Sequence, residues 1–267
     1  MMRVLTTILV LISVMLTLTS CEKVIELDLD ETDQKYVIEG LLHDSLGDNF
    51  VKISKSQHFN NQNPFVQVSN ATVTISGGGS TYNLLESSPG YYTDPNLKGV
   101  PNTNYTLVVS VDGNVITANS FMPQKVELDS LAIQEDVFGE DDDEGQKYRV
   151  NSYFTDPFGL GNYYRFKGFL IEDNYPEQVE GFLAISDEYI DGLPTYFPFF
   201  DGSFLEGDSV VIQLLCIDEV NYRYFTAIEA SQEGEVPGNP VSNLSSDVAV
   251  GYFGAYTKSE QLIIITL

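Results

Sequence analysis

Any chemistry in this 267-residue sequence would have to come from two histidines, two cysteines and 39 acidic residues. His43-Asp44-Ser45 holds the residue types of a catalytic triad. Consecutive residues of an extended chain point to opposite faces, however, and do not converge on one atom. Gly77-Gly78-Gly79-Ser80 lacks both the Gly-x-Ser-x-Gly spacing of a nucleophile elbow and the Lys-Ser or Lys-Thr that completes a phosphate-binding loop. Three glycines between two alternating runs are hairpin chemistry instead. Cys216 lies in the apolar run Val210–Ile217, where a thiol is expected to be buried and inert, since reactivity needs exposure and a depressed pKa. His43 and His58 with that one thiol do not make the three or four ligands of a zinc centre. So many carboxylates always contain pairs at glycosidase spacing, and nothing in the sequence selects one. No catalytic residue is assigned, and the chain reads as non-enzymatic.

Two stretches stay open as binding candidates. With Gly145 at the sixth position of an EF-hand loop, Glu140, Asp142 and Glu144 take the first, third and fifth, but Asn151 falls where a bidentate Glu is required. An irregular calcium site at Glu140–Glu144 and a plain solvated acidic loop are the readings left, and no other cofactor is expected. The segment Tyr189–Gly202 carries Tyr189, Tyr196, Phe197, Phe199 and Phe200 between Gly and Pro punctuation. Aromatics so arranged either plug a core or present an anchor to a ligand or partner.

Cys21 is the residue with the clearest assignment. Met1–Ser20 has one early cation, Arg3, then the apolar run Val4–Leu18, then small residues before the cysteine. That is the layout of an export signal, and it is short and wrongly flanked for a membrane span. Leu18-Thr19-Ser20-Cys21 resembles a bacterial lipobox, which implies acylation of Cys21, for instance with palmitate, and removal of residues 1–20. Residues 21–35 then form an acidic tether. With Cys21 acylated, Cys216 is alone and no internal disulfide forms. Thirteen Lys and Arg against 39 Asp and Glu give a net charge of −26, so nucleic acid is excluded as a partner and an anionic leaflet would not attract the chain. Lipid is the evident tether.

The elements that would position these residues are nearly all strands. Short alternating runs at Tyr36–Leu42, Val51–Lys55, Ala71–Ile75, Thr81–Leu85, Gly90–Thr93, Asn104–Val111 and Val115–Phe121, separated by Gly, Pro, Asn and Asp turns, predict an immunoglobulin-like β-sandwich over 36–123. A second β-rich domain follows over 124–267, with strands near Val126–Ile133, Tyr148–Phe154, Tyr163–Ile171, Phe182–Ile185, Ser209–Ile217 and Leu262–Leu267. One short helix is predicted at Glu219–Gln232, where Tyr222, Phe225 and Ile228 recur at helical spacing. The fold class is all-β.

Several stretches taken jointly carry a wider resemblance: Cys21–Leu29, Tyr36–Gly40, Ser88–Tyr92, Asp156-Pro157-Phe158-Gly159 with Asn162-Tyr163-Tyr164-Arg165-Phe166, Asn239–Leu244 and Gly251–Tyr256. On these the chain resembles a Bacteroidota outer-membrane lipoprotein family classed as a domain of unknown function and often encoded beside SusC-like TonB-dependent receptors. The resemblance implies a surface-facing, lipid-anchored outer-membrane protein accompanying a SusC-like β-barrel and helping ligand capture or uptake. A structural or scaffold role in an outer-membrane complex is the alternative. It implies no catalytic residues.

Overall fold

The computed structural model describes residues 34–57, 65–136, 146–172, 175–232 and 240–266. Cys21 with its leader, and the acidic stretch Glu140–Glu144, lie outside the described residues, as do the side chains of Phe199 and Phe200. The fold is all-β with one short helix. In chain order the strands are β1 (Tyr36–His43), β2 (Phe50–Lys55), β3 (Thr72–Gly77), β4 (Ser80–Ser88), β5 (Tyr91–Thr93), β6 (Thr103–Val111), β7 (Asn114–Met122), β8 (Leu128–Glu135), β9 (Tyr148–Thr155), β10 (Tyr163–Glu172), β11 (Tyr175–Ser186), β12 (Pro194–Phe204) and β13 (Ser209–Ile217). Helix α1 (Glu219–Gln232) and β14 (Ala249–Ile264) complete the fold. Among the described residues no helix is long and apolar enough to cross a membrane.

Alternation decides the strands. In β6, Tyr105, Leu107, Val109 and Val111 are buried while the residues between them are not, the period of two that a pleated strand imposes. The hairpins close on residues that tolerate left-handed backbone: Gly78 and Gly79 between β3 and β4, Asp112 and Gly113 between β6 and β7. The three-glycine run is thus a turn, as its composition predicts.

Eleven described strands form one sheet in the order β11-β10-β13-β14-β1-β2-β5-β4-β3-β6-β7, and β12-β9-β8 form a second. The larger sheet holds together across residues 36–123 and 124–267 through β1 and β14, which pair in parallel from Tyr36 opposite Ala249 to His43 opposite Tyr256. Residues 34–267 make one compact unit. Three cores organise it. Ile38 and Leu42 of β1, Ile53 of β2, Ile75 of β3, Leu107 and Val109 of β6, Met122 of β7 and Phe253 of β14 share the first, so this half of the sheet closes over its own face as a sandwich. Phe154 of β9, Tyr164 and Phe166 of β10, and Val210, Ile212 and Leu214 of β13 fill the second, between the two sheets. On the opposite face of β10, β13, β14 and β1, α1 inserts Phe225 against Leu41, Leu215, Ile217 and Tyr256.

Three strands depart from expectation, the first being β11, which spans Tyr175–Ser186 and not Phe182–Ile185 alone. Tyr189–Gly202 reads as an aromatic segment between breakers, yet 194–204 is β12, paired with β9. It is an edge strand, the position where Pro194 and Pro198 are tolerated because no neighbour needs their missing N–H on the outer side. Strand β14 runs over sixteen residues, far beyond the expected Leu262–Leu267. Its glycines and its Thr257–Gln261 stretch hide the alternation, and it is recognisable only through its two partners, β1 and β13. The helix stands where its periodicity puts it. Asp218 caps it, accepting from Asn221 N–H at 2.9 Å.

Candidate functional site

Two places in this framework gather chemistry-bearing residues. The first is a pair of loops, Asp156–Asn162 between β9 and β10 and Asp187–Leu193 between β11 and β12. Three carboxylates tie them together. Asp156 accepts from the Tyr164 hydroxyl and from Gly192 N–H at 2.9 Å. Asp187 accepts from Gly161 N–H at 3.1 Å, Asn162 N–H at 2.9 Å and Asn162 Nδ2 at 3.1 Å. Asp191 accepts from Gly159 N–H at 2.6 Å. Oxygens of the three lie within 4.8 Å of one another, a spacing that suits a cation. Donors of the chain already meet each carboxylate, so the trio acts as a clamp between the loops.

The clamped loops turn large apolar side chains outward. Phe158 is 90% exposed, Tyr189 85% and Leu160 71%, with Leu193 and, in the adjoining β12, Tyr196 more than half exposed. Tyr196 stacks on Tyr153 with centroids 5.5 Å apart. The ring of Phe158 lies over Gly192, whose φ of +71° and lack of a side chain make room; a Cβ there would sit 2.4 Å from the ring. Of the candidate aromatics, Tyr189 and Tyr196 therefore belong to this exposed end. Phe197 faces inward and stacks on Phe166 at 4.9 Å, because successive strand residues take opposite faces. Phe158 and Leu160 were not among the aromatic candidates. Their one sequence signal is the Asp156-Pro157-Phe158-Gly159 stretch.

The second place lies under α1. Arg165 and Lys167 are two residues apart on β10, so both project to the helix-covered face. Arg165 is 3% exposed, and its guanidinium carbon sits 3.6 Å from the centroid of the Phe225 ring. Burial lowers its pKa, while the Tyr252 and Tyr256 hydroxyls and the charge of Glu229 favour the cation. For Lys167, burial and the charge of Arg165 push the ammonium down to about 8, with Lys258 adding to the shift and Glu39 opposing it. With Gln178, Ile228 and Phe225 these side chains line a recess of about 300 Å³. A larger recess of about 580 Å³ lies beside the start of α1, but its polar groups are engaged with one another. Asn102 donates to Gln124 at 2.8 Å, Thr106 to Asn119 at 2.7 Å, and Ser120 and Phe121 N–H to Asp218 at 2.7 and 2.9 Å.

The other candidates resolve as structural. His43 is buried edge-on against Tyr256 at 4.6 Å, and Asp44 accepts from Lys258 N–H at 3.0 Å, so the triad-like tripeptide does not assemble. The Cys216 sulfur accepts from Val126 N–H at 3.3 Å, and burial pushes its thiol up to about 11.

Residues 22–261 match the family model described as a domain of unknown function, DUF4249. The protein belongs to the DUF4249 family. A search of curated proteins returns no match. In this DUF4249 chain, several of the sequence stretches singled out above are fastening points. Asp156 and Asn162 hold the clamped loops. Asn243 donates to Phe253 O at 2.7 Å and Asn119 O at 2.9 Å and accepts from Phe253 N–H at 3.0 Å, joining β14 to β7. Gly251 has φ +110°, and a Cβ on it would meet Ile38 O at 2.0 Å, so β14 can lie against β1 only with glycine there.

Proposed function

We propose that this DUF4249 protein is a non-enzymatic, lipid-anchored lipoprotein of the outer-membrane surface. Tethered through Cys21, it accompanies a SusC-like TonB-dependent transporter and helps it capture or admit a ligand. The observation that carries the reading is the exposed end formed by Phe158, Leu160, Tyr189, Leu193 and Tyr196. Contiguous exposed apolar side chains mark contact surfaces, and aromatics are the residues that anchor them. The three-carboxylate clamp holds this end in shape before any partner arrives, which lowers the ordering cost of docking. The lipobox-like Leu18–Cys21 and the acidic balance of the chain support placement on a membrane through lipid.

Affinity purification of the tagged, full-length protein from gently solubilised outer membrane tests the reading. A large β-barrel should co-purify, and Phe158→Ser combined with Tyr189→Ser should reduce its recovery at least tenfold while the thermal midpoint stays unchanged. Cys21→Ser should move the protein from the membrane to the soluble fraction. Recovery of a lone monomer under several detergents, or membrane attachment that survives loss of Cys21, overturns it.

A further inference from the structure

Cations are scarce in this chain, 13 against 39 anions, yet two of them share one small recess. Burying a charge is costly unless a partner meets it. Arg165 is met by the Phe225 ring, by Tyr252 and by the charge of Glu229. Lys258, the next cation on this face, has Glu260 at 3.1 Å and Asp48 at 3.5 Å. Lys167 has no such complement: among the described residues no carboxylate stands in ion-pair contact with it. Glu39 lies near enough only to offset part of the repulsion from Arg165 and Lys258. The recess thus holds an ammonium that no described carboxylate pairs with.

We propose that this recess binds a small organic carboxylate, with its oxygens on Lys167, Arg165 behind them, and its carbon skeleton against Phe225 and Ile228. Three features select that class. Among the described acids, Lys167 and Arg165 face only Glu39 and the charge of Glu229, so the site takes a singly charged anion, whereas a phosphate dianion would be repelled by both acids. The wall supplied by α1 is apolar, whereas an inorganic anion would gain nothing from it. Tyr252 accepts from Arg165 and, its pKa held well above the ordinary value by burial, keeps a proton to donate. The volume of about 300 Å³ lies at the lower end of small-molecule pockets, which limits the ligand to a short chain or a single ring. The inference does not rest on the transporter reading.

The test titrates the full-length protein with sodium benzoate and sodium butyrate, followed by calorimetry, with sodium phosphate and sodium chloride at matched ionic strength as comparators. Saturable binding of at least one carboxylate is expected, weakened tenfold or more by Lys167→Met and by Lys167→Gln and unchanged by Lys98→Met, exposed in the segment between β5 and β6. Between pH 7 and pH 9 the wild-type affinity should fall about tenfold as Lys167 loses its proton, and this fall should be absent from Lys167→Met. Facing groups that could blur the profile are Glu39 and His43 from β1, Arg165 on the same strand, Tyr252 and Lys258 from β14, and Glu229 from α1. No saturable carboxylate binding, equal binding by wild type and both Lys167 variants, or phosphate binding as tight as the carboxylates overturns the proposal. Thermal midpoints of the variants at or above that of wild type show that loss of binding is not loss of fold.

Discussion

The guanidinium carbon of Arg165 lies 3.6 Å from the centroid of the Phe225 ring, joining β10 and α1 through one contact that is both charged and apolar. Phe225 also meets Tyr252 at 5.0 Å and Tyr224 at 5.5 Å, both edge-on. Phe225→Ala should therefore cost about 3–5 kcal/mol as a cavity in the helix-side core. Phe225→Leu keeps most of the volume but not the ring face, and should cost about 1–2 kcal/mol. Urea unfolding at unchanged slope measures both.

His43 carries a pH dependence. Burial, then the charges of Lys258 and Lys167, hold its folded-state pKa down to about 4, against an ordinary value of 6.5, with Asp48 opposing. Between those values the unfolded chain binds the proton and the folded one does not. Its stabilisation is complete above pH 6.5 and is lost as pH falls through that window toward 4, by on the order of 3 kcal/mol. His43→Phe should flatten this part of the stability profile, read from denaturation midpoints at pH 7.5 and pH 4.5.

Gly251→Ala is a severe change for its size. At φ +110°, with Ile38 O 2.0 Å from the added carbon, the substitution both strains the backbone and pushes β14 off β1. A loss of at least about 3 kcal/mol is expected, against about 1–2 kcal/mol for Gly207→Ala, where φ of +99° strains the backbone but the added carbon meets nothing within 4 Å. Thermal midpoints of the two variants make the comparison.

Asp156→Ala removes the acceptor shared by the Tyr164 hydroxyl and Gly192 N–H. Leaving those donors unmatched should cost about 2–4 kcal/mol. It should also release the 187–193 loop, so that proteolysis cuts there at least tenfold faster than in wild type, while Tyr189→Ser at the exposed tip changes stability by less than about 0.5 kcal/mol.

Cys216 should be silent toward thiol reagents in the folded protein. Its thiol is 3% exposed and pushed up to about 11, and thiolate is the reactive form. Mass analysis should find it unlabelled at pH 8 in buffer and fully labelled in denaturing urea.

The local elements were legible in the sequence and the long-range ones were not. Helix α1 shows in the spacing of Tyr222, Phe225 and Ile228, and β6 in the alternation from Tyr105 to Val111, because each is written in neighbouring residues. Strand β12 was obscured because Pro194 and Pro198 signal a loop unless the edge position is known. Arg165 and Lys167 sit at alternate positions of β10, a pattern that ordinarily denotes a solvated face. That α1, some 50 residues further on, folds over that face is a fact of tertiary packing that no local window contains. The clamp of Asp156, Asp187 and Asp191 was hidden for the same reason. Its partners are backbone amides of two loops that meet only when β9 to β12 have formed.

The parallel pairing of β1 with β14 makes the last described strand a latch on completion. As the chain emerges amino end first, Tyr36–His43 can pair with β2 at once, but its other edge waits about 200 residues for Ala249–Tyr256, and contacts so distant in sequence close late. Strand β13 waits for the same segment. A chain stalled or shortened before β14 would present two open, apolar strand edges, the feature that invites aggregation and proteolysis. Only β14 shuts both, so one segment decides at a single step whether β1 and β13 keep an open side.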